Sequence, residues 1–371
     1  MKIAIFSDPH LGYARFEEDS YIQAERVILD ASGKSDIIIC AGDIFDVKIP
    51  KLETIKRAME IFNKTNVPIY AIHGNHERRA KDMVNPVQLL ASGTRLRLLH
   101  GSEELFEKDN EKIQIFGMGS VPEEYAETAL KTVMQKFTKK DDACRVLILH
   151  QSIKELAPGA TEELSLEYLE TLPFHLIING HIHETITKLD GRFLIPGSTV
   201  ITQLKKDETA PKGYYIYDTQ TKKSEFVQVP TRKFFYEELK FEEASEMDIR
   251  EKVREVIDSI RKDHKDAIIA VKIDGKLKQG LNNSDIRLDG YENVYIENRL
   301  NEENLAAKIE RIKNARDVNL SIREVAIREL KKKTEEKITM FDGADLFEKL
   351  IEGPEKTLEY LEKHNKKDTS Q

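Results

Sequence analysis

The chain has 371 residues, enough for two or three domains at roughly 100–200 residues each. Its 58 Lys and Arg against 66 Asp and Glu leave a formal charge of −8, which excludes a uniformly basic nucleic-acid-coating protein; contact with nucleic acid then needs a local patch or bound cations. Hydrophobic residues at 40% exclude wholesale disorder. No apolar run approaches the roughly 20 residues of a membrane span, and the chain opens directly into a strand pattern, so a cytoplasmic protein with no membrane contact is expected.

In chain order, a strand over Lys2–Phe6 is followed by Asp8 and His10, with Tyr13 and Arg15 close behind. A helix follows whose apolar stripe is Ala24, Val27, Ile28 and Ala31, at i, i+3, i+4 and i+7. The strand Ile37–Ala41 runs into GDIFD, which carries Asp43 and Asp46, and a second stripe comprises Leu52, Ile55, Met59 and Phe62. The strand Pro68–His73 leads to GNHE, with Asn75, His76 and Glu77, then Arg78 and Arg79. Strands at Ile113–Gly117, Arg145–His150 and Leu176–Asn179 come next, the last feeding NGHIH with His181 and His183. Phe193–Pro196, Gly213–Tyr217 and Ser224–Val229 complete this part. Cys40 and Cys144 lie in apolar runs and read as small core residues, not a disulfide framework.

Near-continuous apolar strands alternating with helices imply a layered α/β domain over residues 1–232, its strands covered on both faces. Beyond it a strand (Phe234–Phe241), a helix (Met247–Arg261) and strands at Ala267–Asp274 and Val294–Glu297 make a small α/β cap over 233–300. Residues 301–371 are charged and helical. Asn301–Lys333 precedes a cluster of Met340, Phe341, Leu346, Phe347, Leu350 and Ile351; after Gly353-Pro354, Leu358 and Leu361 continue on a second short helix.

The ligand-type residues fall in a pattern. Asp8, His10, Asp43, Asn75, His150, His181 and His183 each lie at or just past the carboxyl end of a predicted strand, where open α/β sheets place their crevices. Oxygen and nitrogen ligands arriving from five loops suit a pair of divalent cations, with Asp43 able to bridge them while Asn and neutral His complete the shells. Arg78 and Arg79, like Tyr13 and Arg15, are candidate phosphate contacts beside these loops, a solvated basic cluster being the bland alternative.

The set DPH…GDIFD…GNHE…H…GHIH resembles the calcineurin-like metallophosphoesterase superfamily. Within it the opening FSDPHLGY, IPGSTV at 195–200, KGYYIYD at 212–218 and TRKF at 231–234 resemble the Mre-eleven family of DNA double-strand-break repair nucleases. That resemblance implies a metallophosphoesterase sandwich of β-sheets flanked by helices, with a cap and a helical tail. One metal would take Asp8, His10, His183 and the bridging Asp43; the other would take Asp43, Asn75, His150 and His181. His76 would be the proton donor to the leaving 3′ oxygen. Asp46 stands where many relatives have a histidine that orients this donor.

The resemblance further implies two manganese ions per subunit, with magnesium or another divalent ion as the alternative. It implies 3′-to-5′ exonuclease action on duplex ends and endonuclease action on single-stranded or hairpin DNA. A homodimer through the Leu52–Phe62 stripe and Val87, Leu89 and Leu90 is implied too, as is a Rad-fifty-type SMC-like ATPase gripped by the tail through Leu346, Phe347, Leu350, Ile351, Leu358 and Leu361. The rivals are a phosphomonoesterase or cyclic-nucleotide phosphodiesterase on the same site, and a metal-free interaction scaffold on that fold.

Overall fold

Alternation of apolar side chains along the strands decides how the layers stack. The computed structural model describes residues 1–80, 82–156, 164–278, 281, 283, 286–288 and 290–300, then 345–346, 349–350 and 353–365. In chain order its elements are β1 (Lys2–Phe6), α1 (Glu17–Ser32), β2 (Ile37–Cys40), α2 (Leu52–Phe62), β3 (Ile69–Ala71), α3 (Pro86–Gly93), β4 (Leu96–Leu98), β5 (Ser102–Lys108) and β6 (Glu111–Met118). Next come α4 (Ala126–Met134), β7 (Cys144–Leu149), α5 (Leu166–Glu170), β8 (Leu176–Asn179), β9 (Ile186–Lys188), β10 (Phe193–Ile195), β11 (Gly213–Asp218) and β12 (Lys223–Gln228). The remainder are β13 (Phe234–Ala244), α6 (Glu246–Asp263), β14 (Ile268–Leu277), β15 (Val294–Leu300) and α7 (Pro354–Asn365).

Two six-stranded sheets, β12-β11-β1-β2-β3-β4 and β5-β6-β7-β8-β10-β9, pack face to face. Ile3, Ile5, Ile37 and Ile39 of the first meet Ile113, Ile115, Val146, Ile148 and Ile178 of the second. The intervening residues Ala4, Phe6, Ile38 and Cys40 turn outward to α1, α2 and α3, while Phe116, Met118, Leu147 and Leu149 turn to α4 and α5. The order is therefore helix, sheet, sheet, helix. Strands buried on both sides need apolar residues at every position, which is why IAIF, IIIC and VLIL are unbroken.

The stripe on α1 is buried as expected. On α2 the buried face is Thr54, Ala58, Ile61 and Phe62, with Ile55 and Met59 at its margin, so the expected stripe is rotated and Leu52 stands 79% exposed. Val87 and Leu90 are fully buried in the core, and only Leu89 of that group reaches solvent. Cys40 is buried and Cys144 half-buried, both free. β4 and β9 are too short to show a period, and β5 (SEELFEK) is a charged edge strand, so none of the three stood out in the sequence.

The chain divides into two compact units, Met1–Arg299 and Leu300–Gln371. Within the first, the third sheet, β13-β14-β15, is joined to the sandwich by a small apolar cluster. Phe16, Val200 and Ile201 meet Ile268 and Tyr295, and Arg232 pairs with Asp19 while donating to Asn293 at 3.1 Å. Ser245 and Asp248 form a capping box that starts α6, whose Ile249, Val253 and Ile257 are buried. In the second unit Leu350 and Leu358 are exposed, and Leu346 and Leu361 are half-buried. Residues 301–333, Met340, Phe341, Phe347 and Ile351 lie outside the described residues. Among the described residues no helix is long and apolar enough to cross a membrane.

Phe16 is 3% exposed, stands edge-on to Tyr295 at 5.8 Å, and is the aromatic centre of the joining cluster. Phe16→Ala is expected to cost about 3–5 kcal/mol in urea unfolding, as buried Phe truncations do. A loss below about 1 kcal/mol would mean that this cluster does not hold the third sheet to the sandwich.

Candidate metal centre

β1, β2 and β3 run parallel in one sheet, and β7 and β8 run parallel in the other. Their carboxyl ends open at the same edge of the sandwich, and every predicted ligand group sits there. The loops after β1 and β2 run side by side: the Asp8 amide donates to Gly42 at 3.1 Å, and the His10 amide to Asp43 at 3.1 Å. To turn their side chains inward, Asp8 (φ 51°), His10 (φ 43°), Asp43 (φ 48°) and His181 (φ 78°) adopt left-handed backbone conformations. Such residues cost of order 1–3 kcal/mol each and concentrate at functional sites.

Two groups of side chains converge. In the first, His183 directs Nδ1 to the Thr202 hydroxyl at 2.5 Å, leaving Nε2 3.2 Å from His10 Nε2; each of these Nε2 atoms is 3.9 Å from Asp8 Oδ1. In the second, His150 directs Nδ1 to the Ala41 carbonyl at 2.7 Å, and His181 directs Nε2 to the Ser152 hydroxyl at 3.1 Å. Their other nitrogens lie 3.1 and 2.9 Å from Asn75, which presents its amide oxygen to both. Asp43 joins the groups: its Oδ2 is 3.3 Å from His150 Nε2, and Asp43 also clusters with His10 and His76.

This donor set fits divalent cations. Asp8, His10, Asp43 and His150 are all at most 2% exposed. Burial and the nearby Asp43 charge push Asp8 up, while His150 pulls it back. Asp43 is held well below the usual carboxylate range, because His150, His10 and His76 outweigh its burial. His150 in turn is driven up to about 9: burial opposes its charge, but Asp43 and Asp8 overcome it. Burial, reinforced by His150, lowers His181 to about 4; burial, reinforced by His10, lowers His183 to about 3. Two buried carboxylates therefore call for positive charge, beside imidazoles that stay neutral and available as ligands. A proton on His150 meets part of that need, and a divalent cation held there would meet it in the proton's place.

His76 stands beside these groups. Its side chain is 39% exposed, its amide donates to Asp43 Oδ1 at 3.0 Å, and its Nδ1 donates to the main-chain carbonyl of Asp46 at 2.5 Å. Its Nε2 faces Asp43 Oδ2 at 3.9 Å. Asp46 thus orients His76 through its backbone, while its carboxylate lies between two rings, 3.5 Å from His10 and 3.8 Å from His76. Glu77, to which the sequence alone assigned no role, is fully buried and accepts from the Phe45 and Gly74 amides at 2.7 and 2.8 Å, tying GDIFD to GNHE. Burial and then the Asp43 charge push its carboxyl up to about 8.

A cleft of about 370 Å³ opens beside the second group, lined by Asn75, Arg78, Glu123, His150, Ser152 and His181 among others. Of the candidate DNA contacts, Arg78 lies on this wall. Arg79 is taken up by the Lys48 carbonyl and Met83 sulfur. Tyr13 spends its hydroxyl on the Thr202 carbonyl at 2.8 Å, and Arg15 lies over the Tyr295 ring at 5.6 Å. Of the other histidines, His73 packs against His100 with ring centroids 4.8 Å apart, and His175 accepts from the Arg145 amide at 3.0 Å.

The family model for calcineurin-like phosphoesterases matches residues 1–185. The chain is also similar to the DNA double-strand break repair protein Mre11 of Archaeoglobus fulgidus, at 27% identity over 69% of this chain and 65% of that protein. The protein of the same name from Methanococcus maripaludis is 28% identical over 59% of this chain and 63% of that one. The double-strand break repair protein MRE11 of Homo sapiens is 23% identical over 64% of this chain and 42% of that protein. The matched segment thus spans less than two thirds of each of these relatives.

Gly74 shows how little room the centre leaves. A Cβ there would lie 1.9 Å from Asp43 Oδ1 and 2.5 Å from the Asp43 amide nitrogen. Gly74→Ala must therefore push Asp43 out of place, and calorimetric titration with manganese should show binding weakened by about 10-fold or more. Unchanged affinity in that variant would separate Asp43 from cation binding.

Proposed function

We propose that this chain, whose residues 1–185 match the family model for calcineurin-like phosphoesterases, is a two-metal DNA nuclease of double-strand-break repair, cutting duplex ends 3′-to-5′ and single-stranded or hairpin DNA internally. The observation that carries the reading is the convergence of nitrogen and oxygen donors from five strand ends beside an open cleft. Asp8, His10, His183 and Asp43 would hold one ion; Asp43, Asn75, His150 and His181 would hold the other. Manganese is the proposed metal. Two divalent ions bound there supply acidified water and charge stabilisation for an in-line phosphodiester displacement.

The protein's own residues do the rest. Asp43 is held charged, so it can serve both ions. His76, anchored at Nδ1 by the Asp46 carbonyl, keeps Nε2 toward the centre, where a proton carried on it is delivered to the leaving oxygen. Arg78 lines the cleft, and there it would meet a phosphate of the substrate. The relatives' part in DNA double-strand break repair, together with a third sheet and a helical tail that a small substrate does not require, favours the nuclease over a phosphomonoesterase. The complete donor set disfavours a metal-free scaffold.

The proposal extends to partners. Val47, Ile49, Leu52, Met83, Val84 and Leu89 are exposed apolar side chains on and beside α2 and α3, and Arg79 ties the Lys48 and Met83 segments together. An apolar surface of this kind supports a homodimer. Exposed Leu350 and Leu358 near and on α7 support a tail that docks on a Rad-fifty-type ATPase by helix-in-groove packing.

Release of labelled nucleotides from a DNA duplex in the presence of manganese tests the reading directly. His76→Ser should keep both ions by calorimetry yet lose about 10²–10⁴ in cleavage rate; loss of an ion in that variant would make His76 a ligand instead. A chain lacking residues 335–371 should still cleave short duplexes but no longer co-purify with the ATPase. Unchanged co-purification would remove the tail from the partner interface.

A further inference from the structure

The two histidines of GHIH are each backed by a carboxylate at one remove, through a hydroxyl. Behind His183, the Thr202 hydroxyl lies 2.5 Å from Nδ1 and donates its hydrogen to Glu208 Oε1 at 2.6 Å. Behind His181, the Ser152 hydroxyl lies 3.1 Å from Nε2 and donates to Glu123 Oε1 at 2.8 Å. A hydroxyl has one hydrogen to give. Because the carboxylate takes it in both cases, the oxygen facing the imidazole can only accept, and the ring nitrogen it faces must carry the proton.

The two rings are held in opposite senses. His183 keeps its proton on Nδ1 and offers Nε2 toward His10 and Asp8. His181 meets an acceptor at each nitrogen, Ser152 at Nε2 and the Asn75 amide oxygen 2.9 Å from Nδ1; the hydroxyl relay selects the Nε2 proton, and the lone pairs left facing each other on Nδ1 and Asn75 are the pair a shared cation would join. Two histidines separated only by Ile182 thus present different atoms to different ion positions.

The surroundings of the two carboxylates also differ. Glu208 is 7% exposed, accepts from the Thr202 and Gln203 amides at 3.2 and 3.1 Å, and is closed off by Lys212, whose ammonium lies 2.5 Å from Oε2 and donates to Ser198 at 2.9 Å. Glu123 and Ser152 instead line the open cleft. One pair is sealed and the other is in reach of whatever enters.

We infer that Glu208 and Glu123 are positioning residues that, through Thr202 and Ser152, fix opposite tautomers of His183 and His181 and so set the affinity of the two ion positions independently. The inference rests on the two-metal reading above. Hydrogen-bond partners behind a metal-binding histidine are typically worth about 10–100-fold in metal affinity.

The first measurement needs no variant and no metal. Long-range proton–nitrogen spectra of chelator-treated, ¹⁵N-histidine-labelled protein at pH 7.5 should show His183 protonated at Nδ1 and His181 at Nε2. The reverse form on either ring would overturn the inference for that pair. The second is calorimetric titration with manganese. Thr202→Val should weaken one of two binding events by about 10–100-fold and leave the other unchanged, and Thr202→Ser should restore it. Ser152→Ala should weaken the other event, with Ser152→Thr restoring it. Wild-type affinities in both Thr202→Val and Ser152→Ala, or equal weakening of both events in either, would overturn it. If the wild-type protein bound no divalent ion at all, the two-metal reading itself would fall, a result these variants cannot mimic.

Discussion

Asp43 has to be carried, charged, into the edge between two sheets, and much of the local architecture answers to the cost of putting it there. Its backbone takes a left-handed turn, its carbonyl receives the His10 amide, and its carboxylate receives the His76 amide while facing His150. An isolated carboxylate in such a place would take up a proton. Three histidines prevent this, and each comes from a different strand end. The loops after β1, β3 and β7 are thereby brought into register by one side chain.

A second buried carboxylate has a different task. Glu77 uses both oxygens on backbone amides of two loops, and its environment favours the protonated form far more than Asp43's does. Two acidic residues on neighbouring loops are thus driven in opposite directions, one kept charged among imidazoles and the other neutralised by burial and the Asp43 charge, against the pull of its two amide donors. Divergence of this kind separates a ligand from a structural brace more clearly than residue type does.

The ligands were legible in the sequence because each directly follows, or closes, an apolar strand; a run such as IIICAGD leaves little choice about where the chain turns. The residues behind them were not. Thr202 is 19 residues from His183 and Ser152 is 29 from His181, and each reaches its histidine across the fold through a single hydroxyl that no local pattern announces. The face of α2 was misjudged for a related reason. Leu52 continues an apolar period, yet the helix packs through Ala58 and Thr54, small residues that allow close approach. Pattern records hydrophobicity but not the fit between neighbouring layers. The sandwich of sheets followed from the family resemblance; the periodicity alone did not mark where one sheet gives way to the other, because the junction is a three-residue strand and a charged edge strand.

β1 lies between β2, parallel and close in sequence, and β11, antiparallel and some two hundred residues away. During synthesis its first edge gains a partner early, while the second stays open until Gly213–Asp218 has left the ribosome. For that whole interval the segment Ile3–Phe6, fully buried in the finished protein, offers an unpaired apolar edge. The first strand to be made is therefore closed on its second side only after β2 and β3 have both of their neighbours, and the half-made chain carries that open edge through most of its synthesis.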